Sequence, residues 1–82
     1  MKYFVYVLKS LVAKKSYVGM TDNLERRLGE HNAKRHVYTK RYVPWAIIYT
    51  EQYATLAEAR TRERYLKSAA GRRFLKRSIF DV

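Results

Sequence analysis

Eighty-two residues carrying eighteen Lys and Arg against seven Asp and Glu give a formal net charge of +11. That length predicts one small domain over residues 1–82, and a hydrophobic content of 48% excludes a disordered basic tail, which lacks the apolar side chains to offset chain entropy. The absence of Cys excludes a disulfide framework and any thiolate zinc site, and no apolar run approaches the ~20 residues of a membrane span.

Tyr3-Phe4-Val5-Tyr6-Val7-Leu8 is aromatic and β-branched with apolar side chains on both faces, the pattern of a central strand. A Lys-containing loop over 9–16 leads to Tyr17-Val18-Gly19-Met20, a second strand, so the pair reads as an antiparallel hairpin. Gly19 inside a strand predicts close approach of another backbone, a side chain or a ligand. Asp22 and Glu25 then form a helix-start signal, and the helix should reach His31 or Asn32. The stretch from Ala33 to Val43 has no clear period and is predicted as a loop. After Pro44, Trp45-Ala46-Ile47-Ile48-Tyr49-Thr50 makes a third strand. Thr55 and Glu58 form a second capping box, opening a helix to about Ala69 that Gly71 would cap. A short basic helix from Arg72 to Phe80 closes the chain. The predicted order is β-β-α-β-α-α, an α/β domain with a three-stranded antiparallel or mixed sheet flanked by helices.

On a wheel of ~100° per residue, Leu56, Ala59, Leu66 and Ala70 share one stripe of the second helix, with Glu63 in its middle. Arg60 and Lys67 lie beside it, while Glu58, Arg62 and Tyr65 point elsewhere. A carboxylate facing a core requires a cation or a proton. Glu63 is therefore either a salt-bridge partner of Arg60, Lys67 or a distant Arg, or a metal-binding or catalytic acid. In the first helix, Arg27 and His31 flank the stripe of Leu24 and Leu28. Each is readable as structural; together, beside strands presenting Tyr6 and Tyr17, they form a set suited to phosphate.

Taken together, these residues resemble the GIY-YIG nuclease superfamily, and within it the small stand-alone group related to the N-terminal domain of a bacterial excision-repair nuclease. Val5-Tyr6-Val7 takes the place of the first motif and Tyr17-Val18-Gly19 that of the second. Asn23 to Leu28 with His31-Asn32 resembles the family's Arg-bearing helix, and Arg62 to Ser68 the segment that supplies its metal-binding Glu, here Glu63. Tyr38-Thr39 and Pro44-Trp45 resemble the connecting segment and third strand.

The resemblance implies a metal-dependent endonuclease hydrolysing phosphodiester bonds in DNA, with branched, damaged or single-stranded forms as candidate substrates. Glu63 would bind one Mg²⁺ or Mn²⁺, Arg27 would stabilise charge on the phosphate, and Tyr6, Tyr17 or His31 would activate or orient the attacking water. Gly19 would let phosphate or metal approach the strand. Two departures stand out: Val5 replaces the first motif's Gly, and Met20 stands where some relatives place a Lys.

Six basic residues fall within 26–41 and eight within 60–77. Lys34, Arg35, Lys40 and Arg41 alternate with His36, Tyr38 and Tyr42, a mixture suited to phosphates and bases; Arg60, Lys67, Arg72, Arg73 and Lys76 extend the basic surface. The expected partner is DNA, with RNA as a variant, and no membrane. A monomer or weak homodimer in the cytoplasm is expected, with a larger repair or recombination assembly as a candidate partner. The competing reading is a non-catalytic basic nucleic-acid-binding module on the same fold, for which an acid at position 63 has no purpose.

Overall fold

The computed structural model describes residues 2–80; residues 1, 81 and 82 of the predicted domain, and the side chains of residues 79 and 80 in its last helix, lie outside that description. Strands β1 (Tyr3–Ser10), β2 (Ser16–Thr21) and β3 (Trp45–Tyr53) form one sheet in the order β2-β1-β3. Both pairings are antiparallel, so the sheet has no parallel component. The third strand runs three residues beyond its predicted end, because Glu51, Gln52 and Tyr53 still pair with Val5, Phe4 and Tyr3.

Apolar character on both faces of β1 is explained by what covers it. Val5 and Val7 point to one side, where Ala59, Leu66 and Leu75 close over them. Tyr6 and Leu8 point to the other and pack with Trp45, Leu24 and Leu28. Helix α1 (Leu24–Asn32) therefore covers one face, and α2 (Leu56–Lys67) with α3 (Ala69–Leu75) covers the other. Each fully buried aliphatic side chain here contributes about 1.5–3 kcal/mol.

Helix starts follow the chemistry of the sequence, with one displacement. Asn23, not Asp22, caps α1: its side chain accepts from the Arg26 amide at 3.0 Å, while Asp22 pairs with the Arg26 guanidinium. Thr55 caps α2 as expected, accepting from the Glu58 amide and donating to its carboxylate.

The predicted cap at Gly71 is corrected. Helix α2 stops at Lys67, and extended Ser68 ends it and caps α3 through a bond from the Gly71 amide. Gly71 lies inside α3, where any Cβ would collide with the Tyr65 carbonyl and the Leu66 backbone. It is needed for close helix packing. The last helix thus begins at Ala69 and passes at Lys76 into a π-helical turn to Phe80. Leu56 and Ala70, placed on the inner stripe by the wheel, are exposed, which leaves Ala59 and Leu66 as the buried positions of α2.

The segment before Pro44 is more ordered than a plain loop. Lys34 takes a left-handed φ of 65° past the end of α1, and Thr39–Tyr42 forms a 3-10 turn. Asn32 brackets the Trp45 backbone with two hydrogen bonds, and the Trp45 indole donates to the Thr39 carbonyl at 2.8 Å. Those bonds carry Thr39 and His36 back against α1 and β2.

Candidate active site

The site lies at the β2 edge of the sheet, where α1 on one face and α2 on the other both reach it. Tyr6 pairs with Gly19 in the β1–β2 register, and Leu8 with Tyr17. The tyrosines are therefore diagonal neighbours, with ring centroids 6.4 Å apart. A Cβ at position 19 would lie 2.5 Å from the Tyr6 hydroxyl. The close approach expected at Gly19 is made, in this structure, by the Tyr6 ring.

Tyr6 sits at the centre of a relay. Arg27 Nε donates to its hydroxyl at 3.4 Å, and the hydroxyl lies 2.9 Å from His31 Nε2. The phenol oxygen accepts from Arg27, which leaves its own proton available for donation to His31 Nε2. In that tautomer His31 carries its own proton on Nδ1, facing Thr39 Oγ1 at 2.8 Å. His31 and Thr39 are fully buried and Tyr6 is 1% exposed. Burial, followed by the Arg27 and His36 charges, pushes His31 down to about 4. Burial likewise pushes Tyr6 up to about 12, against the pull of Arg27. Near neutral pH both are uncharged.

Arg27 is anchored at its other end by Glu30 at 3.0 Å. Its guanidinium remains half-exposed, set at the edge of the phenol pair.

Tyr17 belongs to a second, more open pair. Its hydroxyl lies 3.2 Å from His36 Nε2, and His36 Nδ1 is buried without a hydrogen-bond partner among the described residues. Burial, then the Arg27 and Lys67 charges, holds His36 below its usual value. In sequence His36 reads only as part of a stacking segment; nothing local marks it, because its contact with Tyr17 spans nineteen residues. Tyr38 stacks on Tyr17 with a centroid distance of 6.1 Å.

Glu63 arrives from the opposite face. Its carboxylate, 21% exposed, is held by Lys67 at 3.0 Å, one of the cations expected for it. Lys67 Nζ also lies 5.7 Å over the Tyr17 ring, so the ammonium that holds Glu63 reaches round to the tyrosine side of the sheet.

Arg62, expected to point away, instead grips Glu51 on β3 through two bonds of 2.9 and 3.0 Å. The Glu51 carboxylate also accepts from the hydroxyls of Tyr49 and Tyr53. Arg62 itself lies over the rings of Tyr65 and Phe74. This clamp ties α2 to the far edge of the sheet, one residue before Glu63.

A groove of about 690 Å³ opens beside Tyr17, lined by Lys14, Lys15, Tyr38, Lys67, Arg72 and Lys76 over Val18, Leu66 and Leu75. Of the predicted basic contacts, Lys67, Arg72 and Lys76 converge here. Lys34, Arg35, Lys40, Arg41, Arg60 and Arg73 are exposed but do not line it. Lys14 and Lys15, which read in sequence only as loop residues, do.

A family model for the GIY-YIG catalytic domain matches residues 2–76. The chain belongs to the GIY-YIG family. A UPF0213 protein of Staphylococcus haemolyticus is 36% identical over 76 residues, 92% of each chain. Another, of Natronomonas pharaonis, is 37% identical over 67 residues, covering 80% of this chain and 78% of that one. The solution NMR structure of a UPF0213 protein from Bacillus halodurans superposes with a TM-score of 0.55 at 26% identity, covering 92% of this chain and 82% of that one.

The two departures from the GIY-YIG motifs are both accommodated by packing. Val5 is fully buried in the core and Met20 packs against the same cluster. As a GIY-YIG domain the chain is of a nuclease type, and such domains generally work with divalent metals. Among the described residues no group of three or more His, Cys, Asp or Glu could enclose an ion. A single carboxylate such as that of Glu63, with water and phosphate oxygens beside it, is a donor set that suits a hard, oxygen-preferring divalent cation.

Proposed function

We propose that this protein is a divalent-metal-dependent endonuclease that hydrolyses phosphodiester bonds in DNA. The observation that supports the reading is the cluster of Arg27, Tyr6 and Tyr17, which Glu63 joins through Lys67, so that four separate elements contribute to one locality. A fold whose only task was to hold nucleic acid would gain nothing from a half-buried acid there, facing its polyanionic partner.

Each residue has a task that its surroundings support. Glu63 would hold a Mg²⁺ or Mn²⁺ ion, which when bound polarises the phosphate and stabilises the leaving oxygen. Arg27, fixed between Tyr6 and Glu30, presents its remaining N–H groups to a phosphate oxygen. Tyr6 and buried His31 serve as the rigid support of that guanidinium. Closed off from solvent and pushed up to about 12 by burial, Tyr6 is poorly placed as a base.

The water-orienting role falls to Tyr17, whose hydroxyl sits beside neutral His36. A proton taken from water by Tyr17 as it passes its own to His36 Nε2 would avoid a free phenolate. Gly19 keeps the Tyr6 ring in place and the strand surface low.

The test is cleavage of plasmid, single-stranded and branched DNA by purified protein in Mg²⁺ or Mn²⁺. Metal-dependent nicking or cutting is expected, abolished by EDTA. Retention of every DNA form uncut, with tight binding preserved, would favour the binding-module reading.

A further inference from the structure

Lys67 belongs to two sites at once. Its ammonium is 3.0 Å from the Glu63 carboxylate, and the same side chain lines the groove beside Tyr17. The pair is an i,i+4 contact in which Lys67 is 49% exposed, so it is weak and readily exchanged.

The groove itself is built in two parts. Lys14, Lys15, Arg72 and Lys76 bring positive charge, while half-buried Val18 and the rings of Tyr17 and Tyr38 give it an apolar floor. A small anion would use the charge alone and waste the floor. A phosphodiester strand uses both, its phosphates on the cations and its sugars and bases on the apolar surface.

On Glu63, the Lys67 ammonium is a cation on the carboxylate assigned to the metal. It satisfies the acid while the site is empty and repels a divalent ion that arrives. Phosphate in the groove offers the ammonium another partner within reach of its flexible stem. Resting on the reading of Glu63 as the metal carboxylate, we propose that the groove takes a phosphodiester strand and that its phosphate draws Lys67 off Glu63. Strand binding and metal binding then reinforce one another, because whichever ligand displaces the ion pair first removes its cost for the second. Such coupling is reciprocal. It would keep the metal site weak until substrate is present.

The experiment is a Mn²⁺ titration of the full chain by electron paramagnetic resonance, alone and with a cleavage-resistant phosphorothioate oligothymidylate. Wild type is expected to bind Mn²⁺ at least about fivefold more tightly when the oligonucleotide is bound. Since a strand phosphate touching the metal would also produce an enhancement, the variants decide. Lys67→Met should bind Mn²⁺ more tightly than wild type without oligonucleotide, and its enhancement should shrink. Lys67→Arg keeps a cation on Glu63 and should stay near wild type. Unchanged Mn²⁺ affinity in Lys67→Met would overturn the coupling while leaving the Glu63 reading intact. Unchanged Mn²⁺ affinity in Glu63→Gln would instead remove the metal reading itself. Lys14→Ala combined with Lys76→Ala should weaken oligonucleotide binding; an unchanged affinity would overturn the groove assignment.

Discussion

The Tyr6 hydroxyl and His31 Nε2, 2.9 Å apart, join the central strand to α1 through a hydrogen bond closed to solvent. It sets the ring that lies across Gly19 and supports the Arg27 guanidinium. His31→Ala would leave the buried Tyr6 and Thr39 hydroxyls without this partner and open a cavity. A loss of about 2–4 kcal/mol is expected in urea denaturation.

Burial of the same imidazole gives stability a pH dependence. The folded value of His31 is depressed to about 4, against 6.5 for the free side chain. Its contribution is fully present above pH 6.5 and is lost as pH falls through about 4, because the unfolded chain binds the proton first. Stability should drop by up to about 3 kcal/mol across that window, relative to His31→Gln. Parallel denaturation curves for the two proteins from pH 7 to pH 4 check it; an equal slope would contradict the neutral, buried imidazole.

Gly19→Ala places a methyl group 2.5 Å from the Tyr6 hydroxyl and 2.6 Å from the ring carbon that bears it. The Tyr6 ring is walled in by Leu8, Trp45 and His31, so it has little room to yield. The expected cost is about 1–3 kcal/mol. Tyr6→Phe should not rescue it, since the ring carbon remains; full rescue would show that the hydroxyl alone makes the contact.

Glu51 and Arg62 set the position of α2. Burial raises the Glu51 carboxyl, but the Arg62, Tyr49 and Tyr53 hydrogen bonds outweigh it and bring the net value below the usual one. The stabilisation is present above the ordinary carboxylate range and lost as pH falls through the lower folded value. Glu51→Gln should cost about 1–3 kcal/mol at pH 7, measured by thermal or urea unfolding. Because Arg62 immediately precedes Glu63, the variant should also lower cleavage by Mn²⁺-loaded protein more than DNA binding.

Much of this is readable from local pattern. The strand runs of β1 and β2 carry their own periodicity and branching. Arg27, His31 and Glu63 are marked by polar side chains on or beside apolar stripes, an arrangement the wheel exposes. What escapes is settled by contacts between distant positions. The hydrogen bond of His36 to Tyr17, the grip of Arg62 on Glu51 and the approach of Lys14 and Lys15 to α3 have no spacing to betray them. The break at Ser68 escapes for another reason: Gly71 has the composition of a cap, yet tertiary packing uses its missing side chain within a helix. Asp22 and Asn23 are both good caps, and only the geometry of the turn chooses between them.

A net charge of +11 makes binding strongly salt-dependent. The slope of log affinity against log salt should fall by about 0.7–0.9 for each groove cation removed, in Lys14→Ala, Arg72→Ala or Lys76→Ala. Arg73→Ala, outside the groove, should change it less. Equal effects at all four positions would mean a diffuse basic surface in place of a defined path.

The most direct test of the central claim is single-turnover cleavage of a labelled DNA substrate by Glu63→Gln, with binding measured on the same preparation. The substitution keeps the size of the side chain and removes the charge that would hold the metal. Cleavage in Mg²⁺ or Mn²⁺ should fall by at least about a hundredfold, roughly 2.7 kcal/mol or more in the barrier, while DNA affinity stays level or rises. Cleavage by Glu63→Gln at the wild-type rate would contradict the account.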